Sequence, residues 1–244
     1  MFNHDMSIPS IVKVNETDWQ ASPSNTVRRK RFHLVGEPES GQVTSLVEYL
    51  PGASFHRHGH PEGEEILVLE GIFSDDAGDW PAGSWLLNPE GFAHAPSSRE
   101  GCLLFVKLRQ YTGAKHLMLA WPGLTPEPST FDPSEQALTE QIENVIFRVL
   151  LNQSGESISI ISLGIQLGAI PSAETLASEG LLRKKYEGGV EGFVLEGIAN
   201  MNGEMLIRHD WFRLPPGATL NLTSRSCTLY LKENNVKRLR NASL

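Results

Sequence analysis

The amino-acid sequence predicts an all-β protein made of two related halves. The chain of 244 residues contains 22 glycines and 15 prolines. Between them stand short runs of β-branched residues, a pattern typical of many short strands joined by turns. The length is sufficient for two hydrophobic cores of about 100 residues each. An internal repeat indicates that the two cores have one ancestor.

The repeat relates residues 62–91 to residues 188–217. The segment EGEEILVLEG at 62–71 resembles GGVEGFVLEG at 188–197. With an offset of 126, ten of thirty ungapped positions are identical, where chance would give about two. After one deletion, CLLFVKL at 102–108 aligns with CTLYLKE at 227–233. Each half therefore is expected to contain the same strands in the same order.

Eight segments have the residue content expected of strands, four in each half. They are 44–50, 65–72, 84–88, 102–109, 157–164, 191–199, 205–209 and 226–232. We assign residues 1–115 to a first domain and residues 142–244 to a second. Residues 116–141 are expected to form a proline-containing linker with one short helix at 134–143. Asp132 would cap this helix, and Pro133 would occupy its first turn.

Four residues of the first half have the chemistry and spacing of metal ligands. His58 and His60 alternate along one strand, so their side chains point to the same face. A Pro-Glu-Gly turn follows and brings Glu64 beside them, and His94 could close the site from a facing strand. Hard and borderline divalent metals accept such nitrogen and oxygen donors. The alternative, a solvated histidine loop, is less favoured because the flanking residues alternate as strands do. His56 is interpreted as a pocket wall rather than a fifth ligand.

These residues also carry a family resemblance. The segments PGASFHRHGHPEGEEILVLEG, DWPAGSWLLNPEGFAHAP and GCLLFVKLRQY, within about residues 18–111, resemble the cupin superfamily and in particular the ChrR-like cupins. Cupins carry a first motif with Gly, His-x-His, Glu and Gly, and a second motif that ends in histidine. The matching residues are Gly52, His58, His60, Glu64, Gly71, Pro89, Gly91 and His94.

The resemblance implies two tandem cupin barrels, each a double-stranded β-helix or jelly roll, with a metal in the first. ChrR-like cupins form the metal-binding C-terminal module of zinc-dependent anti-sigma factors, so zinc is the favoured metal, with Fe, Mn or Ni as alternatives. No CxxC pair or helical pattern precedes residue 18. A sigma factor is therefore expected as a partner only through the resemblance.

Three functions stay open at this point. The first is a regulatory or sensing module that binds a small ligand. The second is a metal-dependent dioxygenase acting on a small diketone-like substrate, as in similar single-domain cupins. The third is a barrel in which the metal only stabilises the fold. Four ligands would complete a tetrahedral zinc site, whereas an octahedral metal would keep two positions open. No catalytic residue can be assigned from the sequence.

The pocket beside this site is predicted to be lined mainly by apolar side chains. Its candidate lining residues are Phe55, Ile66, Val68, Leu86, Phe92, Leu104 and Val106. Two cations of the motif region, Arg57 and Lys107, are considered as candidates for the pocket. Arg57 alternates with the histidines and is expected to point away from the metal. Such a pocket would suit a small, largely hydrophobic ligand rather than a sugar phosphate.

The second half has lost the four ligands. The equivalent residues are Lys184, Tyr186, Val190 and Leu220. A cation, a phenol and two aliphatic side chains cannot hold a divalent ion, and Lys184 would repel one. We therefore expect one metal per chain and a structural or dimerising role for the second barrel.

The charge and composition exclude several partners. A net charge of −8 argues against nucleic acid. The basic run 28–31 precedes Phe32-His33-Leu34-Val35 and is interpreted as a charged edge strand. No signal peptide or transmembrane run is present, so a cytoplasmic location is expected. Cys102 and Cys227 fall on equivalent strands of different halves and are expected to stay free. A homodimer is the simplest assembly.

Overall fold

Strands make up almost all of the regular structure in the computed structural model of the chain. The structure describes residues 1–111, 119–121, 141–153, 155–164 and 179–239. In these ranges no α-helix occurs, and two short 3-10 helices span Val14–Glu16 and Val236–Arg238. None of the described helices has the length and apolar character needed to cross a bilayer. The predicted all-β class is confirmed.

Twenty-one strands are numbered here in chain order. They are β1 (Ser10–Val12), β2 (Gln20–Ala21), β3 (Val27–Val35), β4 (Gln42–Tyr49), β5 (Ala53–Ser54), β6 (His58–His60), β7 (Glu64–Asp75), β8 (Gly78–Pro81), β9 (Trp85–Asn88), β10 (Phe92–His94), β11 (Ser97–Ser98), β12 (Cys102–Leu108), β13 (Leu119–Trp121), β14 (Gln141–Glu143), β15 (Val145–Gln153), β16 (Glu156–Leu163), β17 (Gly180–Tyr186), β18 (Val190–Met201), β19 (Glu204–Ile207), β20 (Trp211–Leu214) and β21 (Ala218–Glu233). All eight predicted strand segments overlap observed strands.

The described residues divide into two compact units, of which the first contains residues 1–5 and 17–121. Its main sheet has the order β13-β9-β7-β12-β4-β3-β2, with β5, β8 and β11 attached beside this path. Strands β6 and β10 form a separate two-stranded ribbon. Apolar residues of β7, β9 and β12, among them Ile66, Val68, Leu86 and Leu104, form a buried core. The curled sheet and the ribbon form the first barrel, in agreement with the predicted jelly roll.

The second unit contains residues 6–16 and 141–239. Its nine-stranded sheet has the order β1-β20-β18-β21-β16-β15, with β14 and β17 joined through β21 and β19 joined to β18. A large apolar core fills it, including Val194, Phe212, Leu222 and Leu229, each fully buried. This unit is the second barrel.

The chain's N-terminal segment departs from the predicted domain boundary. We expected residues 1–115 to form the first domain, but β1 pairs with β20, with Ile11 opposite Phe212. The backbone N–H of Val14 also donates to Asp210 at 2.8 Å. The open edge of β20 supplies the hydrogen-bonding partner for this strand. The sequence of such a three-residue strand does not indicate with which of the two barrels it will pair.

The predicted linker helix at 134–143 lies outside the described residues except for its last three. Those three residues form strand β14, which pairs antiparallel with β17. The C-terminal end of the prediction is therefore wrong at Gln141–Glu143. The reason for the difference is that β17 offers backbone hydrogen bonds to this segment, so the segment joins the sheet as a strand.

The internal repeat is reproduced in the hydrogen bonds as well as in the strands. The Trp85 indole donates to Glu65 at 2.9 Å, and the Trp211 indole donates to Glu191 at 2.7 Å. In both units a serine hydroxyl also donates to the carbonyl of an isoleucine at 2.6 Å, Ser98 to Ile72 and Ser224 to Ile198. Each pair of positions differs by 126, so the repeat found in the sequence is confirmed as a structural repeat.

Candidate metal centre

The β6–β10 ribbon brings three histidines together. His94 lies opposite His58, and Phe92 lies opposite His60. Because His58 and His60 are two residues apart, their rings lie on one face of the ribbon. The ring centroids are 4.9 Å apart for His58 and His60, 5.0 Å for His60 and His94, and 5.5 Å for His58 and His94. One nitrogen of each ring lies within 4.8 Å of the others.

Glu64 completes the group from the first position of β7. Its Oε2 lies 3.5 Å from Nε2 of His60 and 3.4 Å from Nε2 of His94. These two nitrogens are 3.1 Å apart. Strand pairing sets Glu64 opposite Asn88, and the Asn88 amide donates to the same Oε2 at 3.0 Å. Three donor atoms thus converge on one small volume, with His58 at its exposed side.

The electrostatics of the group suit a cation. Burial raises the pKa of the Glu64 carboxyl, against the influence of His94 and the Asn88 hydrogen bond. Burial, together with the neighbouring His94, His58 and Arg109, lowers the pKa of His60 to about 3. The His60 imidazole is therefore neutral and offers a lone pair, while the carboxylate needs a positive partner. A divalent metal between them would satisfy both requirements, so the residues fit such an ion.

One contact with a backbone carbonyl orients His58, and one contact with a side-chain carboxylate orients His94. Nδ1 of His58 lies 2.9 Å from the carbonyl oxygen of His56, and Nδ1 of His94 lies 3.2 Å from Oδ2 of Asp75. If each Nδ1 carries the hydrogen, each Nε2 keeps its lone pair for a metal. His56 lines the cavity and lies outside the three-histidine cluster.

Asp75 is a residue of the site that sequence reasoning missed. It is the last residue of β7, which forms a hairpin with β8. The carboxylate also accepts hydrogen bonds from Trp80 and the Ala77 backbone, both at 3.0 Å. Burial opposes the charged form, but the hydrogen bonds from His94, Trp80 and Ala77 hold the pKa of Asp75 below its ordinary value. Asp75 and His94 are 19 residues apart in the sequence, so no local motif connects them.

A cavity of about 510 Å³ adjoins the histidines. Of the predicted wall residues, four line it, namely Phe55, Ile66, Leu104 and Val106. Further apolar residues come from β3, β4, β7 and β12, namely Val27, Val43, Val47, Tyr49, Phe73 and Leu108. Val68, Leu86 and Phe92 are not among its lining residues; the first two belong to the core cluster, and Phe92 contacts His94.

The cavity has more cationic groups than the motif region indicated. Arg57 reaches its edge, but its guanidinium pairs with Asp76 and donates to the Ala93 carbonyl. Lys107 is buried near Thr44 and does not line the cavity. Arg29, which lies outside the quoted motif segments, and Arg109, which lies within the last of them, are lining residues that the sequence reasoning missed.

The second unit carries no such cluster among its described residues. Lys184 lies opposite Leu220 in the β17–β21 pair, as His58 lies opposite His94. Tyr186, Val190 and Leu220 are fully buried in the core, and Lys184 approaches Glu233 at 3.5 Å. The predicted register between the halves is correct, and apolar packing occupies the volume where the first unit gathers its histidines.

Comparison with known proteins agrees with this architecture. Residues 8–112 match the family described as ChrR Cupin-like domain. No curated protein matches the chain in sequence.

Similar solved structures cover both units. A candidate dioxygenase from Nostoc punctiforme has 12% identity and a TM-score of 0.60, with 96% of this chain and 86% of that chain covered. Protein Ylba from Escherichia coli has 14% identity and a TM-score of 0.62, with 100% and 96% covered. The bacterial pirin YhhW from Escherichia coli in complex with nickel(II) has 16% identity and a TM-score of 0.54, with 93% and 98% covered. These identities are low, so the similarities establish the fold alone.

Proposed function

We propose that this chain, in which residues 8–112 match the ChrR Cupin-like domain, is a metal-dependent protein that binds a small ligand and serves a sensing or regulatory role. The first unit would hold one divalent metal through His58, His60, Glu64 and His94. The adjoining cavity would hold the ligand. The second unit would contribute structure rather than a second metal.

The convergence of donor atoms is the observation that carries this proposal. Two imidazole nitrogens and one carboxylate oxygen lie within 3.5 Å of one another in a largely buried position. Without a cation, folding would leave a buried carboxylate beside the neutral ring of His60, which is costly. A metal offsets that cost, and its binding free energy would then contribute to folding. Zinc is favoured by the family resemblance.

Elemental analysis of the purified protein tests the metal site. We expect one divalent metal per chain, and a loss of most of the metal affinity in His60→Ala and in His94→Ala, because each removes one of four donors. His56→Ala is the matched control and should retain its metal. Two tightly held metals per chain would contradict the proposal, as would a His56→Ala variant as depleted as His60→Ala.

A metal-dependent dioxygenase is the second candidate, favoured by the apolar cavity that reaches the histidine cluster. With an octahedral ion such as Fe(II), two positions beside the four protein ligands would be open to a small bidentate ligand. The walls formed by Ile66, Leu104 and Val106 would exclude water from it. A diketone matches such a wall, since it is apolar apart from its two oxygens.

Oxygen uptake separates the two candidates. The protein is loaded with Fe(II) and mixed with pentane-2,4-dione in air-saturated buffer, with His94→Ala and free Fe(II) as controls. Uptake above both controls that scales with enzyme concentration would favour the dioxygenase. Uptake equal to the controls, with diketone or other ligands still binding, would favour the sensing role.

A further inference from the structure

We propose that Arg109 is an anchor for anions and that the cavity takes a small monocarboxylate with an apolar chain. The inference deepens the proposed function, because it names the class of ligand for the same cavity. Four observations carry it: the position of Arg109, its backbone conformation, its weak pairing and the apolar wall opposite.

Arg109 stands immediately after β12 and beside Gly63, the residue that precedes the candidate ligand Glu64. Leu108 pairs with Glu64 across the β7–β12 ladder. The backbone N–H of Arg109 donates to the carbonyl of Gly63 at 3.1 Å. The guanidinium therefore extends from a fixed point beside the first residue of β7, and it lines the same cavity as His58, His60 and His94.

The backbone of Arg109 adopts a left-handed conformation with φ of 59°. Residues with a Cβ rarely adopt it, and it costs about 1–2 kcal/mol. The same turn recurs in the second unit, where Asn234 has φ of 62° and its backbone N–H donates to the Gly189 carbonyl at 2.7 Å, so the conformation belongs to the fold. At Arg109 its consequence is that a long cation is directed at the cavity instead of continuing the strand alternation.

Arg109 is also the most weakly paired of the three arginines that line the cavity. Arg29 makes two hydrogen bonds of 2.7 Å to Glu39, and Arg57 is bound by Asp76 and the Ala93 carbonyl. The carboxylate of Glu62 lies 3.8 Å from Arg109, beyond hydrogen-bonding distance. About a quarter of the Arg109 side chain is exposed, so its donors can receive a ligand carboxylate with charge-assisted geometry.

The other lining residues of the cavity indicate what the uncharged part of the ligand should be. Val43, Val106 and Leu108 line the cavity near this end, with Val47 and Leu104 further along. A metal held by three neutral imidazoles and one carboxylate would keep a net charge of about +1, which adds to the charge of Arg109. One anionic group and an apolar chain complement this cavity, whose volume of about 510 Å³ is that of a small-molecule site.

Isothermal titration of hexanoate and of its neutral analogue hexanamide tests the inference. The wild type should bind hexanoate more tightly than hexanamide. Arg109→Gln should weaken hexanoate about tenfold or more and leave hexanamide unchanged. Arg109→Lys keeps the charge and should retain part of the preference. Arg28→Gln is the matched control, because Arg28 is not a lining residue of the cavity and its guanidinium pairs with Glu48; it should bind hexanoate within about twofold of the wild type.

Each titration is run on metal-loaded and metal-free protein, and thermal unfolding is measured for every variant. Failure of the wild type to bind hexanoate, or equal affinity for the two probes, would overturn the anchor. An Arg109→Gln variant that folds and keeps the wild-type affinity would do the same. A wild type that binds no metal but keeps an Arg109-dependent preference would refute the proposed metal function and leave the anchor supported.

Discussion

The candidate ligands depend on residues that never touch a metal themselves. Asp75 reaches back from the β7–β8 hairpin to Nδ1 of His94 at 3.2 Å, and Asn88 holds Oε2 of Glu64. A carboxylate behind a ligating histidine orients the ring and raises its basicity. The geometry of the site is therefore determined as much by Asp75 and Asn88 as by the imidazoles.

Replacement of Asp75 tests this orienting role. Asp75→Asn should lower the metal affinity about 10–100-fold, because the His94 ring loses its charged acceptor while all four donors remain. Asp76→Asn is the control, since that exposed carboxylate pairs with Arg57 and not with a histidine. Competition with a chromophoric chelator measures both variants. An equal affinity of Asp75→Asn and the wild type would show that His94 needs no such partner, and unfolding of the metal-free variants checks that the hairpin is intact.

At the scale of single elements, a glycine at the same point of each barrel permits a long, bent strand. Gly71 in β7 has φ of 72° and Gly197 in β18 has φ of 83°. The ladder shifts register close to both glycines. A Cβ at Gly71 would overlap with the Gly101 carbonyl, and one at Gly197 would overlap with the Ser226 carbonyl. These strands can therefore pair with their neighbours only if no side chain is present there.

Gly71→Ala and Gly52→Ala separate the steric cost from the conformational cost. Gly52 also has a positive φ of 79°, but a Cβ there would meet nothing within 4 Å. We expect Gly52→Ala to lower the free energy of unfolding by about 1 kcal/mol, and Gly71→Ala by about 3 kcal/mol or more, because crowding adds to the strain. Denaturant unfolding of the metal-free proteins measures both. Similar losses of unfolding free energy for the two variants would mean that the backbone near Gly71 shifts to make room for the added Cβ.

At the scale of the whole molecule, the parts predicted correctly are those that repeat or alternate. The offset of 126 correctly aligned Lys184 and Leu220 with His58 and His94, because a register once established along a barrel determines every cross-strand pair. The parts missed depend on distant contacts. The position of Arg109 at the cavity depends on a backbone hydrogen bond to Gly63. Strand β1 pairs with β20, which lies some 200 residues away in the sequence. Hydrophobic periodicity carries no information about either pairing.

We keep the prediction of a homodimer and locate it on the second unit. The β18–β19 hairpin exposes Ile198, Met205 and Ile207, with 56%, 55% and 36% of their surfaces accessible. Exposed apolar groups of this size favour association. Light scattering should give about 54 kDa, twice the 27.0 kDa of one chain. Ile198→Lys should shift the mass toward the monomer, whereas Ile72→Lys at the equivalent position of the first unit should not. A wild type that stays at the mass of one chain over a wide concentration range would refute the dimer.

Metal removal should weaken the first unit alone. A ligand that binds only the folded state stabilises it by about 2.7 kcal/mol at a hundredfold excess over the dissociation constant, and the four candidate ligands all belong to β6, β7 and β10. We therefore expect chelation to speed amide hydrogen exchange in these strands. Exchange in β17 and β18 should stay the same, because Tyr186 and Val190 are packed in an apolar core. Exchange mass spectrometry with and without metal measures both, with His94→Ala as the control that should show no metal-dependent protection. Metal-dependent protection of β17 equal to that of β6 would mean that the second barrel binds the ion after all.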